Sequence, residues 1–234
     1  MNLYFIVEGK TEQKVYPSWL GYLLPELQRV KNANKVQANN YYLISAGGYP
    51  AIYEILEPAI EEINDIQRYD YLIICLDAEE NSVEDMQREV REKIQELSIT
   101  KELSLKNTQL KIVIQNRCME TWFLGNSKIY SRQPQSQLLL EYTRYYNVSD
   151  NCPESMGKHD YGVHAHFHEA YLKELFVAKN MQYSKTKPRD VQEEYYLKEL
   201  QNRTEKQTDH LPTFQDFIEF CGLIRSQLAN STLL

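Results

Sequence analysis

The amino-acid sequence predicts an α/β fold, a mainly parallel four-stranded sheet flanked by helices, with a helical C-terminal extension. Two runs of residues, 3–7 (LYFIV) and 71–76 (YLIICL), carry this prediction because they are almost wholly aliphatic, aromatic or β-branched. Continuous apolar runs are typical of strands buried on both faces of a parallel sheet. Amphipathic segments separate the runs, and strands that alternate with helices favour a parallel sheet with right-handed crossovers.

The elements of the first half follow the order β-α-β-α-β-α-β, and a short helix closes this half. Pro17 fits the first turns of the first helix, whereas Pro25 lies deeper and indicates a kink or an early end. Gly47 and Gly48 close the second strand. The predicted strands are residues 2–8, 41–45, 71–76 and 110–114, and the predicted helices are residues 12–32, 50–64, 82–97 and 119–124.

After residue 126 the sequence becomes helical, tyrosine-rich and polar. Residues 147–162 are rich in Asn, Asp, Pro, Ser and Gly and predict a long loop. We therefore expect a catalytic α/β core at residues 1–126 and a helical extension, packed on it, at residues 127–234. The helices predicted in this extension are residues 135–147, 165–180, 190–206 and 213–229.

Length and composition fit a folded cytoplasmic protein. A chain of 234 residues with 42% hydrophobic residues can bury a sizeable core. No apolar run approaches the ~20 residues of a membrane-spanning helix, and the amino terminus lacks a signal-peptide pattern. The four cysteines have no C-x-x-C spacing, which is typical of reduced thiols. We expect no association with a membrane.

The net charge of −7 argues against a protein that holds nucleic acid by bulk electrostatics alone. Local charge still permits such binding, because residues 179–189 (KNMQYSKTKPR) contain four basic side chains, although a solvated loop is the alternative explanation. Lys158 and His159 are weaker candidates for phosphate contact. The 18 tyrosines include the pairs 41–42, 145–146 and 195–196. Such rings can stack single-stranded bases at ~1–3 kcal/mol per base, but packing is their more frequent use.

Acidic side chains stand where predicted strands end. Glu8 follows the first strand, Asp77 and Glu79 follow the third, and Glu120 comes just after the fourth. In open α/β sheets the ligand site lies outside the carboxyl ends of the strands, so Glu8 and Asp77 would meet there if their strands are neighbours. Converging carboxylates need a cation between them, and hard oxygen ligands favour magnesium, manganese or calcium. The sequence therefore predicts a metal site at this edge.

Each acidic segment also has a structural explanation. Gly9 could make a strand-to-helix turn, and Glu12 could belong to an ordinary helix start. Asp77 could cap the next helix, and Glu120 could pair with Arg117 across one helical turn. The occurrence of all three segments in this order favours the metal site.

Three short motifs resemble the Toprim catalytic domain, which is named for topoisomerases and primases. They are VEGKTE at residues 7–12, D-x-E at 77–79 and E-x-W at 120–122. The closest likeness is to small Toprim-like proteins allied to the overcoming-lysogenization-defect nucleases of bacterial phage-defence loci. The sequences YSK at 183–185 and HLPTF at 210–214 resemble the carboxyl-terminal pattern of these proteins, so the likeness covers most of the chain.

The resemblance implies divalent-metal chemistry on phosphodiesters, with Mg²⁺ or Mn²⁺ as the cofactor. The metal ligands that it implies are Glu8, Asp77, Glu79 and Glu120. Lys185 would join the first three acids in catalysis as a contact to the phosphate or the transition state, and Glu8 could instead act as a general acid or base. Glu79 stands where these families usually have aspartate, which leaves one-metal and two-metal sites open.

We therefore expect a metal-dependent nuclease that cleaves DNA or RNA as an effector of anti-phage defence. An ATPase encoded nearby and a second copy of the chain are the further partners that we consider. No G-x-x-x-x-G-K-[ST] motif occurs, so any ATP dependence would come from another chain. Two alternatives stay open: a nucleotidyl transferase, as in primases, and a non-cleaving subunit that binds an ATPase or a phage-derived protein.

The sequence HAHFH forms a competing cluster. In a strand, His164, His166 and His168 would share one face, and in a helix only His164 and His168 would converge; either arrangement could bind zinc. The H-E-x-x-H pattern is missing, so partly exposed histidines without a metal are the alternative.

Overall fold

The structure is a computed structural model that describes residues 1–131, residue 133 and residues 136–231. Contacts between Cα atoms divide these residues into two compact units. The first unit consists of residues 1–76, 82–114 and the described residues from 219 onward; the second consists of 77–81 and the described residues between 115 and 218. The boundary that we placed after residue 126, between a catalytic core and an extension, stays a prediction.

Among the described residues, five strands form one parallel sheet in the order β2-β3-β1-β4-β5. The last pair also runs in one direction, because the amide of Gln109 donates to the Asp70 carbonyl and that of Ala78 to the Gln115 carbonyl. The prediction of an α/β fold with a mainly parallel sheet is therefore confirmed. The strands are β1 (Asn2–Val7), β2 (Gln28–Arg29), β3 (Asn40–Ser45), β4 (Tyr71–Asp77) and β5 (Gln109–Gln115).

The sheet has one strand more than predicted because the first helix ends early. Helix α1 spans Glu12–Leu23 and not residues 12–32. Leu24 precedes Pro25, and a residue before proline is pushed out of the helical conformation. The chain then extends, and β2 pairs with the first two residues of β3.

The helices α2 (Ala51–Ile66) and α3 (Val83–Thr100) complete the crossovers of the first unit. Helix α2 buries one face, whose residues recur at helical spacing: Ile52, Leu56, Ile60 and Ile63. Phe220, near the carboxyl end of the chain, adds a ring contact to Tyr71 of β4 at 5.5 Å. Both faces of β1 and β4 are thus buried, as their sequences predict.

The helical region predicted for the second half of the chain is present. Residue 135, where the first of its helices was predicted to start, lies outside the described residues. The third of these predicted helices, residues 190–206, divides into a 3₁₀ turn at Arg189–Gln192 and a helix. The helices are α4 (Met119–Phe123), α5 (Gln137–Tyr145), α6 (His164–Val177), α7 (Glu194–Lys206) and α8 (Pro212–Ser231).

Thr213, in the first turn of α8, joins three segments of the second unit. Its hydroxyl accepts hydrogen bonds from Trp122 Nε1 at 2.8 Å and from the Asn116 amide at 3.3 Å. The same hydroxyl donates to the Glu154 carboxylate at 2.8 Å, and the Thr213 amide also donates to Glu154. The ring of Trp122 packs against Phe214 with centroids 5.4 Å apart. The tryptophan of E-x-W and the HLPTF motif therefore hold each other in place.

Buried thiols occur in both units. Cys75 and Cys221 belong to the first unit and Cys118 to the second, and all three are free and buried. Burial raises the pKa of each of these thiols. Cys152 is also free and partly exposed.

Among the described residues, no helix is both long and apolar enough to cross a membrane.

Glu154→Gln is expected to change how stability depends on pH. Burial raises the pKa of Glu154 from 4.5 to about 7, although hydrogen bonds from Thr213, Phe214 and Asn116 oppose the shift. Between these two values the folded state keeps a proton that the unfolded state has released, so stability falls as pH rises through this window. The variant should remove this loss, up to about 3 kcal/mol, in urea unfolding curves measured from pH 4.5 to 8.

His168 makes stability depend on pH in the opposite direction. Burial lowers its pKa from 6.5 to about 4, so the stability that this group contributes is lost as pH falls below 6.5. Glu154→Gln should therefore leave a protein whose stability rises with pH up to about 6.5. The control is Glu205→Gln, which changes an exposed acid of α7. Equal pH profiles for the two variants would contradict the prediction.

Candidate functional site

Glu8 leaves β1 at the carboxyl edge of the sheet, and two glycines fix its backbone. The amides of Gly47 and Gly48 donate to the Glu8 carbonyl at 3.0 and 2.9 Å. Both glycines adopt positive φ angles, 88° and 122°, which favour glycine. On the other side, the Gly9 amide donates to Oε2 of the buried Glu12 at 3.1 Å. Glu12, the second acid of VEGKTE, therefore stabilises the turn after Glu8.

The residues after β4 are tied to the end of β5. The amide of Ala78 donates to the Gln115 carbonyl and that of Glu79 to the Arg117 carbonyl, both at 2.9 Å. In return, Arg117 Nη1 donates to the Glu79 carbonyl at 3.1 Å. Arg117 therefore binds the backbone at Glu79. Asp77, the last residue of β4, is only 8% exposed.

Glu79 and Arg117 both have left-handed backbone conformations, with φ of 51° and 72°. For residues other than glycine this region costs ~1–2 kcal/mol. Such strain persists only where the surroundings hold it, and it is concentrated at ligand sites and active sites. Here the reciprocal hydrogen bonds of the two residues hold the strained turn, and one of them carries a predicted metal ligand.

Three of the predicted site acids converge. Carboxylate oxygens of Glu8, Asp77 and Glu79 all lie within 4.8 Å of one another. The ladder between β1 and β4 explains the first two positions, because Val7 pairs with Cys75 and the next residues leave neighbouring strands at the same edge. Carboxylates this close repel one another unless a cation or protons lie among them.

The donor set of this acid group fits a hard divalent cation. It consists of carboxylates only, and these are the ligands that magnesium, manganese and calcium prefer. Three carboxylates leave positions of an octahedral ion for water and substrate oxygens. The residues present therefore suit Mg²⁺ or Mn²⁺ chemically.

Glu120, the fourth predicted ligand, faces side chains from the segment after α6. Its carboxylate is 1% exposed and accepts a hydrogen bond from the Tyr183 hydroxyl at 2.6 Å. Lys185 Nζ lies 3.8 Å from the same oxygen, Oε1. In the described part of the chain, the group of acids whose oxygens lie within 4.8 Å of one another does not include Glu120. Its role as a metal ligand stays a prediction.

Helix α4, which carries Glu120, is anchored by a chain of buried hydrogen bonds. His168 Nε2 lies 3.3 Å from the Gly157 carbonyl, which only accepts, so this nitrogen carries the proton. His168 Nδ1 then accepts from the Thr121 hydroxyl at 2.7 Å. The same hydroxyl accepts from the amide of Cys118, the residue before α4, at 3.3 Å. Burial lowers the pKa of His168 to about 4, so the neutral ring that this chain requires persists at neutral pH.

Lys185, predicted as a phosphate contact, lies between two carboxylates. Its ammonium group is 3.8 Å from Glu120 and 3.9 Å from Glu169 of α6. Burial alone would lower the pKa of Lys185, but the negative charges of Glu120, Asp77 and Glu169 raise it. The Lys185 ammonium group is therefore protonated at neutral pH.

On α6 the rings of His164 and His168 pack together with centroids 5.9 Å apart, as expected for a helix. His168 is buried, His166 is exposed, and the ring of His164 lies 2.8 Å from Glu80 Oε1. Two hydrogen bonds from His164, through its amide and its ring, lower the pKa of Glu80 to about 2 against the effect of burial. Among the described residues, no group of three potential ligands contains these histidines. A zinc site at His164 and His168 stays a prediction.

The weaker phosphate candidates are engaged with acids. Lys158 Nζ lies 3.4 Å from Glu80. His159 lies 3.7 Å from Glu141 and 3.5 Å from Asp160, and these three form a second group of potential ligands.

The tyrosine pairs serve mainly in packing, as the more frequent use predicts. Tyr41 and Tyr196 are buried in the cores of their units, whereas Tyr145 and Tyr195 are 45% and 49% exposed. Base stacking by the exposed members stays a prediction.

Sequence reasoning missed Glu169 and the backbone role of Arg117. Glu169 lies four residues before Lys173 and pairs with it at 2.6 Å. In the sequence this spacing indicates an ordinary ion pair on a helix surface. It gives no sign that Glu169 also faces Lys185. The positive φ angles of Glu79 and Arg117 have no sequence signal, because neither residue type favours that conformation.

Comparison with known proteins gives one family. Residues 7–187 match the family model described as "Domain of unknown function (DUF4276)", which covers all the site acids and Lys185. No curated protein and no solved structure matches the chain.

The strain at Glu79 predicts an order of stability for two variants that both lose the carboxylate. Glu79→Gly should be more stable than Glu79→Ala by about 0.5–1 kcal/mol, because glycine adopts the positive φ angle without steric cost. Urea unfolding of both proteins measures the difference. The reverse order would show that Glu79 is not strained. The same pair of changes at Glu61, an exposed residue inside α2, should instead favour alanine.

Proposed function

The chain belongs to the DUF4276 family, and we propose that it is a divalent-metal-dependent nuclease that hydrolyses phosphodiester bonds of DNA or RNA. The observation that carries the proposal is the convergence of Glu8, Asp77 and Glu79 within 4.8 Å at the carboxyl edge of a parallel sheet. Ligand sites of open α/β sheets lie at this edge. A cationic side chain, Lys185, interacts with Asp77 and suits an anionic substrate.

The side chains divide the work of hydrolysis. A bound Mg²⁺ or Mn²⁺ ion would polarise the scissile phosphate and acidify a water molecule. Asp77 and Glu79, which flank the hydrogen bonds of Ala78 and Glu79 to the end of β5, would hold the ion. Glu8 would complete the ligand set or take the proton of the attacking water. Lys185 donates to a non-bridging phosphate oxygen and offsets the charge that develops there.

The surroundings of Lys185 also suit a polyanion. A cavity of about 430 Å³ lies beside the segment Tyr183–Ser184, and its lining includes Lys173, Lys187 and Arg189. Three basic side chains at one cavity offer the local positive charge that a chain of net charge −7 needs to bind nucleic acid. We propose that the nucleic-acid backbone follows this cavity.

Asp77→Asn and Glu8→Gln are expected to lower metal-dependent cleavage by at least about 100-fold. Loss even of an outer hydrogen-bond partner of a metal ligand costs up to about this much, and these changes remove a ligand. The assay uses labelled DNA and RNA substrates with Mg²⁺, Mn²⁺ or EDTA, and EDTA should abolish cleavage by the wild-type protein. Circular dichroism checks that the variants are folded.

Glu61→Gln, which changes an exposed acid of α2, is the matched control and should keep full activity. Full activity of a folded Asp77→Asn protein would contradict the site assignment. We further propose a role as an effector of anti-phage defence that works with an ATPase encoded nearby. A wild-type protein that cleaves only after such an ATPase is added would support this partnership, and one that never cleaves with it would favour the non-cleaving subunit.

A further inference from the structure

The segment 183–185 reaches Glu120 with two side chains at once. The Tyr183 hydroxyl donates to Glu120 Oε1 at 2.6 Å, and Lys185 Nζ lies 3.8 Å from the same atom. Lys185 lies in a tight turn that the Lys187 amide closes by donating to the Ser184 carbonyl at 2.9 Å, and this turn brings the lysine to the same partner as Tyr183. Glu120 therefore fixes both the segment 183–185 and the ammonium group of Lys185.

The ring of Tyr183 makes this connection rigid. It is 8% exposed and packs edge to face against Phe123 at 5.8 Å and Phe176 at 6.1 Å. Phe123 belongs to α4, the helix of Glu120, and Phe176 belongs to α6. The segment is thus attached to the two helices that supply the carboxylates around Lys185.

Glu169 supplies the second carboxylate. Its Oε1 pairs with Lys173 at 2.6 Å, and its Oε2 lies 3.9 Å from Lys185 Nζ. Lys173 holds the Glu169 carboxylate on the surface of α6, where it remains 21% exposed. Glu169 is therefore oriented by one lysine and faces another.

Both distances to the Lys185 ammonium exceed the range of a direct hydrogen bond, ~2.7–3.2 Å. A lysine bound tightly to one carboxylate would be neutralised by it and fixed to it. An ammonium group at nearly equal, longer distances from two carboxylates is held in place yet gives up little when it moves toward an incoming anion. This arrangement suits a cation that must be ready for a phosphate group.

We infer that Glu120 and Glu169 are positioning residues that hold Lys185 for contact with a bound phosphate, and that Glu120 serves the lysine and not a metal ion. The inference rests on the proposed function, because it assigns a partner within the same site. It adds Glu169 and Tyr183 to the residues on which activity depends, and it removes Glu120 from the metal ligands.

The test separates metal binding from phosphate binding. Electron paramagnetic resonance of free Mn²⁺ gives the affinity for the metal, and ³¹P relaxation gives the binding of inorganic phosphate next to protein-bound Mn²⁺. Glu120→Gln, Glu169→Gln and Tyr183→Phe should each weaken phosphate binding by about three- to tenfold, because a misplaced contact group loses much of its effect. Lys185→Met should weaken it at least as much, and all four variants should bind Mn²⁺ within about twofold of the wild-type protein.

The matched control is Glu194→Gln, which breaks an exposed pair with Lys198 of the same helical spacing as Glu169 and Lys173. It should leave both affinities unchanged. Should the Glu120 variant fail to fold, the Glu169 and Tyr183 variants carry the test. Loss of Mn²⁺ binding in a folded Glu120→Gln protein, or unchanged phosphate binding in Lys185→Met and Glu169→Gln, would overturn the inference.

Failure of the proposed function has a different signature. The wild-type protein could show the expected Mn²⁺ and phosphate affinities and yet cleave no nucleic acid, with or without an ATPase. This result would contradict the nuclease function and would leave the inferred positioning of Lys185 intact. A wild-type protein that binds no Mn²⁺ would overturn both.

Discussion

The convergence of the site acids depends on one constraint, the parallel pairing of β1 with β4. The ladder aligns Leu3 with Tyr71 and Val7 with Cys75, and every residue of the two strands is buried. Because side chains alternate along a strand, a shift of one residue would turn those of a whole strand to the opposite face and would move Asp77 away from Glu8. The core therefore fixes the register, and the register fixes the distance between the acids.

A second constraint is the cost of buried charge in the second unit. Burial raises the pKa of Glu154 and lowers that of His168, so both groups are shifted toward their neutral forms. Glu120, which is also buried, lies 3.8 Å from the Lys185 ammonium group and accepts a hydrogen bond from Tyr183. Hydrogen-bonded groups that are shifted toward neutrality thus anchor α8 and α4.

The strands and the order of the acids could be predicted because both depend on local patterns. Continuous apolar runs mark β1 and β4, and residues that follow such strands must lie at one edge of a parallel sheet. The strand β2 could not be predicted, since Gln28 and Arg29 are exposed and gain their conformation from β3. Glu169 was equally hidden, because its contact with Lys185 joins α6 to a later segment and has no spacing rule.

The buried cysteines make the two compact units chemically distinguishable. A thiol reacts with an alkylating reagent as the thiolate, and burial with a raised pKa keeps Cys75, Cys221 and Cys118 unreactive while the surrounding structure is closed. Labelling of each cysteine therefore requires a local or global opening reaction. Cys75 and Cys221 report the opening of the unit that contains the sheet, and Cys118 reports that of the unit that contains Glu120 and Lys185. The relative labelling rates measure whether the two units unfold as one cooperative body or in sequence.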